Sequence, residues 1–116
     1  TNTRLEITQG QEAPSAVGDP TVPVVTRLDR AYPNPFNPMT NIDFTLARSG
    51  SARLDVFTLD GRLVKTLKAG DLPAGPHHAT WNGTDQAGRR VASGTYFYRL
   101  TAPGGFVATG RVVMVK

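Results

Sequence analysis

The residues of this chain that could do chemistry are few and widely spaced. His77 and His78 are adjacent, and neighbours on a strand point to opposite faces, so one metal ion does not take both. With no Cys in the chain and carboxylates only at scattered positions, the pair is a poor metal site. Asn82, Thr84 and Asp85 bring oxygen atoms into residues 82–88. A calcium loop wants several carboxylates at alternate positions and a terminal bidentate acid, and here only Asp85 is charged. Local side-chain-to-backbone bonds, with Gly83 and Gly88 turning the chain, account for this segment. Asn82-Gly83-Thr84 also fits the N-glycosylation acceptor pattern, a short match without weight in a tight turn. For nucleophilic catalysis there is no Gly-x-Ser-x-Gly, and no Ser with a base and an orienting acid. Asp55 and Asp60 are separated by a strand end and a turn, and neither is expected in an apolar setting that would raise its pKa. Gly104-Gly105 reads as a hairpin turn rather than a phosphate cradle. No catalytic residue, metal or cofactor is expected, and the chain reads as non-enzymatic.

Composition agrees with a role in binding or structure. The 116 residues allow one domain and a short tail. Glycine and proline are dense, at 12 and 9 residues, which favours many short strands over helices. No apolar run approaches the roughly 18 residues of a membrane helix. Residue 1 is Thr and no signal peptide is present, so the chain is expected to be a fragment or a processed product with any export signal upstream. The formal charge is +4. However, the Arg residues at 4, 27, 30, 48, 53, 62, 99 and 111 are single, with one pair at 89 and 90. They alternate with apolar positions, as solvent-facing strand residues do, and no basic cluster interleaved with aromatics suggests nucleic-acid binding. A small-molecule substrate is not expected either.

The element that sets the domain's start is Tyr32-Pro33-Asn34-Pro35-Phe36-Asn37-Pro38. Prolines at 33, 35 and 38 fix their own φ and push each preceding residue toward an extended conformation, giving a stiff segment that directs Tyr32 and Phe36. Both aromatics are expected to cap the open end of the fold, with Phe36 buried. Residues 1–23 read as an N-terminal strand (3–8) and a linker (9–23), and residues 24–116 as the β-domain. Strands are expected at 24–28, 40–46, 51–59, 62–67, 77–81, 95–101 and 106–115. In these, Ile42, Phe44 and Leu46 share a face, as do Ala52, Leu54 and Val56, His77, Ala79 and Trp81, and Tyr96, Tyr98 and Leu100. Leu63 and Leu67 are expected on one face of their strand and Val64 on the other, with Asp55 facing solvent. Asp60-Gly61 suggests a two-residue type I′ hairpin. About seven short strands in antiparallel hairpins make an all-β, immunoglobulin-like antiparallel β-sandwich, with Trp81, Phe44, Tyr96 and Tyr98 dominating its core.

These residues also carry a family resemblance. The proline segment followed by Thr40-x-Ile42-x-Phe44 resembles a C-terminal module of secreted bacterial proteins. The same holds for Val56-Phe57-x-Leu59-Asp60-Gly61-Arg62-x-Val64 and for Trp81-Asn82-Gly83-x-Asp85-x-x-Gly88-x-x-Val91-x-x-Gly94-x-Tyr96-x-Tyr98. Over residues 31–116 the chain is similar to the immunoglobulin-like domain of the flagellar hook-capping protein and to the sorting domains recognised by the type IX secretion system. The resemblance implies a secretion-sorting or cell-surface attachment module of an exported protein, carried through the periplasm to the surface or beyond. The first alternative it implies is a scaffold or filament subunit that self-assembles as in hook capping. A carbohydrate-binding accessory domain, with Trp81 and the tyrosines stacking on sugars, is a further alternative. The implied partner is a protein, either secretion machinery or a neighbouring subunit, with outer-membrane association and self-association through edge strands as further expectations. Recognition is assigned by the resemblance to Pro33, Asn34, Pro35, Phe36, Asn37, Pro38, Gly61, Gly94, Tyr96 and Lys116.

Overall fold

A computed structural model of the chain describes residues 25–116; the strand expected at 3–8, the linker at 9–23 and Val24 lie outside them. The described residues form seven strands: β1 (Arg27–Leu28), β2 (Thr40–Leu46), β3 (Gly50–Phe57), β4 (Leu63–Leu72), β5 (Gly75–Trp81), β6 (Gly94–Ala102) and β7 (Phe106–Met114). They form a three-stranded sheet in the order β1-β2-β5 and a four-stranded sheet in the order β4-β3-β6-β7. Every pairing between these strands is antiparallel. The expected all-β, immunoglobulin-like sandwich is what the chain forms.

Alternation of side chains explains the core. In β2, Thr40, Ile42, Phe44 and Leu46 are buried, while Asn41, Asp43 and Thr45 are only half-buried. The inward faces of β3 and β6 contribute Ala52, Leu54 and Val56, and Tyr96, Tyr98 and Leu100. Trp81 lies fully buried at the centre of an aromatic chain: Phe36 packs on one side with ring centroids 5.3 Å apart, and Tyr96 on the other at 5.2 Å, nearly edge-on. Tilted and edge-to-face pairs of this kind add about 0.5–1.5 kcal/mol each beyond the area they bury. The indole N–H donates to the Thr84 carbonyl at 2.9 Å, so the one polar atom of Trp81 is satisfied inside the core.

Several local expectations are corrected by the structure. The first strand is confined to Arg27–Leu28. The β3–β4 connection is not a two-residue type I′ turn. Gly61 N–H donates to the Thr58 carbonyl and Thr58 N–H to the Arg62 carbonyl, enclosing the three residues Leu59, Asp60 and Gly61. Only the last must adopt positive φ, and Gly61 does so at 92°, the pattern of a turn closed by a glycine bulge. Next, β4 does not alternate simply. Its register against β3 slips twice, between Leu54 and Asp55 and between Val56 and Phe57. Leu67 and Val64 are the residues left over at these slips. Bulges rotate a strand locally, and here they let Val64 (6% exposed) and Leu67, three positions apart, both pack on the core, while Leu63 stays exposed. Asp55 is buried rather than solvent-facing. It accepts hydrogen bonds from Arg53 Nε at 2.8 Å and from the Thr66 hydroxyl at 2.7 Å. Those partners make the buried carboxylate tolerable; Arg53 is two residues away on the same strand, and Thr66 comes opposite through the strand register. Finally, Tyr32 does not cap the sandwich: it is 51% exposed, whereas Phe36 is 1% exposed.

Candidate interaction surfaces

The proline segment is fastened to β7, an edge of the four-stranded sheet. The bonds Tyr32–Pro33, Asn34–Pro35 and Asn37–Pro38 are all cis. Phe36 N–H donates to the Val113 carbonyl at 2.9 Å, and Val115 N–H donates to the Phe36 carbonyl at 3.0 Å. The Asn34 side chain extends this pairing: its Oδ1 accepts from Val113 N–H at 2.9 Å and its Nδ2 donates to the Arg111 carbonyl at 3.0 Å. A carboxamide offers the same donor and acceptor as a peptide group, so Asn34 acts as a surrogate strand residue. The Thr40 hydroxyl donates to the Pro33 carbonyl at 2.8 Å and holds the segment's other flank. Pro33, Asn34, Pro35, Asn37 and Pro38 remain exposed, forming a ridge whose backbone is fixed from beneath.

The other residues singled out from the sequence are dispersed. Gly94 opens β6 opposite Met114, and Tyr96 is 7% exposed with its hydroxyl donating to the Ala92 carbonyl. Phe36 and Tyr96 thus meet through Trp81 inside the core, and what they offer a partner is the shape they hold. Lys116 is exposed just beyond the Phe36–Val115 bond. Gly61 lies apart from these, in a groove of about 490 Å³ on the outer face of the four-stranded sheet, bounded by Phe57, Leu59, Phe97 and Arg99. There the Arg99 guanidinium sits 4.4 Å from the centre of the Phe57 ring, a cation–π contact. Trp81, Tyr96 and Tyr98 are all buried, so none of them forms the stacking platform that a carbohydrate-binding role requires.

One polar array escaped the sequence reading. On the outer face of the three-stranded sheet, Asp43 Oδ1 lies 2.6 Å from His78 Nδ1, and His78 Nε2 lies 3.3 Å from the Thr80 hydroxyl. The Tyr32 hydroxyl donates to Asp43 Oδ2 at 3.1 Å, and this bond holds the Tyr32 phenol above its ordinary pKa. The order acid, imidazole, hydroxyl is that of a hydrolytic triad. However, the Thr80 hydroxyl also lies 3.2 Å from Asn41 Oδ1 as a donor, and one O–H cannot serve both acceptors fully. The His78 side chain is 57% exposed. Asp43 and His78 face each other directly across β2 and β5, so the array is a solvated cross-strand pair. Nothing at 35 residues' separation marked it in the sequence. Among the described residues no group of three His, Cys, Asp or Glu side chains could hold a metal ion.

Comparison with known proteins gives three likenesses and one family. The family model described as the FlgD Ig-like domain matches residues 38–105. The basal-body rod modification protein FlgD of Salmonella typhimurium is 46% identical over 46 residues, which take in 40% of this chain and 20% of that protein. The chain therefore corresponds to about a fifth of the length of that relative. Among solved structures, dimeric latent PorU from Porphyromonas gingivalis superposes with a TM-score of 0.64 at 23% identity, over 84% of this chain and 10% of that one; the likeness is one of fold. FlgD from Xanthomonas campestris, described in connection with the hook capping essential for flagellar assembly, gives a TM-score of 0.48 at 23% identity, covering 78% of this chain and 63% of that one.

Proposed function

The chain belongs to the FlgD Ig-like domain family, and from that premise we propose that it is a non-catalytic structural module holding one subunit of an exported assembly to its neighbour. The observation that carries this reading is the ridge at residues 33–38, fixed by Asn34 and Phe36 and open to solvent. A partner that docks on a pre-ordered backbone avoids most of the ordering cost of binding. The family relative is named for modification of the basal-body rod, and a role in assembly is what the proposal carries over from it. The partner is a protein, reached outside the cytoplasm. Sedimentation velocity over a range of concentrations tests this: the chain associates as its concentration rises, and Asn37→Arg, an exposed change on the ridge, weakens that association. A chain that stays monomeric throughout, or one whose association ignores Asn37→Arg, counts against it.

A second reading, as a sorting domain for type IX secretion, is favoured by one observation. The Phe36 bridge brings the proline segment beside Val115 and the adjacent Lys116, so the two termini of the motif set implied by the resemblance form one surface. A reporter fused to residues 24–116 in a host with type IX secretion tests it. Retention of the reporter in the periplasm rejects sorting, as does export that is unchanged by deleting the last five residues.

A further inference from the structure

The four edge strands differ in how well they are closed. An edge presents alternate N–H and C=O groups that pair with any extended chain, and short strands, bulges and prolines blunt it. Strand β1 is two residues long, and β5 carries Pro76 at its second position. Strand β4 has two bulges and lies partly under Gln86, whose N–H donates to the Val64 carbonyl and whose side-chain Oε1 accepts from Thr66 N–H. Strand β7 is closed only over its second half, where Asn34 and Phe36 engage the Arg111 carbonyl, Val113 and Val115. Because the N–H and C=O of Val113 point away from β6, alternation aims both groups of Val107 and Thr109, and the N–H of Arg111, the same way. Among the described residues nothing bonds these five groups.

A chain laid along this open half meets different surroundings on its two faces. Side chains turned inward enter a groove of about 680 Å³ whose apolar lining includes Leu28, Ala31, Tyr98 and Ala108. Side chains turned outward lie beside Val107, Thr109 and Arg111, all exposed. Across β6 and β7, Arg99 stands opposite Thr109 and Arg111 opposite Phe97, so two guanidinium groups share this outer face. Arg99 rests on the Phe57 ring. Neither it, nor Arg111, nor Arg30 in the groove wall pairs with a carboxylate among the described residues. Asp29, which also borders the groove, is already engaged by Arg27 at 3.2 Å. The edge is therefore basic on its outer side and largely apolar on its inner side.

We propose that residues 106–111 of β7 take up an extended acidic segment of a partner protein by strand addition. In that mode main-chain hydrogen bonds supply affinity and alternate side chains supply specificity. The surroundings of the edge dictate the pattern of the incoming chain. Its residues opposite Val107, Thr109 and Arg111 share the outer face with the guanidinium groups and are Asp or Glu. The residues between them turn into the groove and are apolar. A second copy of this chain is the poorer occupant. Pairing β7 with another β7 brings a second Arg99 and Arg111 onto a face that already bears both, in a chain of formal charge +4, and like charges on neighbouring strands repel. The edge is a second surface, beyond the assembly reading, whose contact is the exposed ridge at 33–38.

Amide hydrogen exchange of the full chain is the test, read alone, with excess of a capped hexapeptide of alternating Val and Glu, and with its Val–Lys counterpart. The Val–Glu peptide slows exchange at Val107, Thr109 and Arg111 by on the order of tenfold, and the Val–Lys peptide does not. Arg111→Glu reverses the preference between the two peptides. Thr109→Pro removes the central N–H at an edge position where proline is tolerated, and it abolishes the slowing at Val107 and Arg111. The amides of Leu54 and Leu100, on central strands, exchange equally throughout and report an intact fold. Asn37→Arg leaves the slowing unchanged, so the edge and the ridge fail separately. Exchange that ignores both peptides, or answers both equally, overturns the proposal, as does slowing that survives Thr109→Pro or is lost in Asn37→Arg. Edge amides already protected before any peptide is added also overturn it; protection that grows with protein concentration would assign the edge to a second copy.

Discussion

Gly110→Ala is the substitution whose effect follows most directly from this architecture. Gly110 sits in β7 opposite Tyr98, and the Tyr98 ring lies across it. A β-carbon at residue 110 falls well inside contact distance of Tyr98 Cζ and Oη, and 2.9 Å from Cε1. The ring has little room to retreat. Tyr98 is 2% exposed, and its hydroxyl donates to the Asp29 carbonyl at 3.1 Å while accepting from Ala31 N–H at 3.0 Å. These two bonds tie β6 to the segment leading from β1 into the proline ridge. Inserting a methyl group into such a contact costs about 1–3 kcal/mol. If the ring shifts, the N–H of buried Ala31 loses its partner, at about 1–3 kcal/mol more. Replacing glycine within a strand returns roughly 0.5–1 kcal/mol. The net expectation is a loss of about 2–4 kcal/mol, which for a domain of this size lowers Tm by on the order of 10–25 °C. Urea unfolding followed by Trp81 fluorescence measures it. The decisive control is Tyr98→Leu, which keeps an apolar side chain but removes the ring: on that background Gly110→Ala costs nothing or stabilises slightly, giving a coupling of about 2–4 kcal/mol. An equal cost on both backgrounds would falsify the steric account.

Phe36→Ala loses about 3–5 kcal/mol through the cavity it leaves against Trp81, and Phe36→Leu loses about half of that or less; a Phe36→Ala protein as stable as the parent in the same unfolding assay would show that the proline segment contributes nothing to the core. Burial pushes the Tyr98 phenol above its ordinary value of 10.0, with the Ala31 N–H pulling the other way. A raised folded-state pKa means stability that is complete below the unfolded value and lost as pH rises through the folded one, so the parent loses stability above about pH 10 more steeply than Tyr98→Phe does, and parallel pH–stability curves would contradict this. At the acid end, the Asp85 carboxylate is held below its ordinary value, first by the Arg89 backbone N–H and then by that of Ala87. A depressed pKa gives stability that is present above the unfolded value and lost as pH falls through the folded one; Asp85→Asn is accordingly less stable at neutral pH and less sensitive to acid below about pH 4, and an unchanged acid limb refutes it.

What the sequence revealed and what it hid divide along physical lines. Period-two alternation with polar residues between was enough to find β2, β3 and β6 and their buried faces, because one face of each strand packs on a single core. The proline spacing was enough to place a stiff segment before β2. By contrast, the bulges in β4 shift the face of Val64 and Leu67 without any change in residue type, and only the pairing with β3 exposes them. Asp55 reads as a surface acid until its register brings Thr66 opposite it. The Asn34 bonds to β7 span 77 and 79 residues of sequence, and nothing local to Asn34 announces them. The Tyr98 hydroxyl reaches back 67 and 69 residues for the same reason, although Gly110, an otherwise unexplained glycine in a strand, was a hint that something approached closely.

The bond between Asn34 and β7 also bears on how the protein ages. An asparagine decays chiefly when the backbone nitrogen of the next residue attacks its side-chain carbonyl, closing a five-membered ring and releasing ammonia. The carboxylate that results keeps an acceptor but has no donor for the Arg111 carbonyl. Residue 35 is proline, which has no N–H to give up, so this route is closed at Asn34. Asn82, followed by Gly83 and exposed to solvent, has no such shield. Among the described residues its Oδ1 accepts from the Thr84 hydroxyl, an interaction a carboxylate can keep. The amide that seals a sheet edge is therefore the chemically durable one, and the one left open to this route lies between buried Trp81 and buried Gly83, where ring opening through the other carbonyl lengthens the backbone.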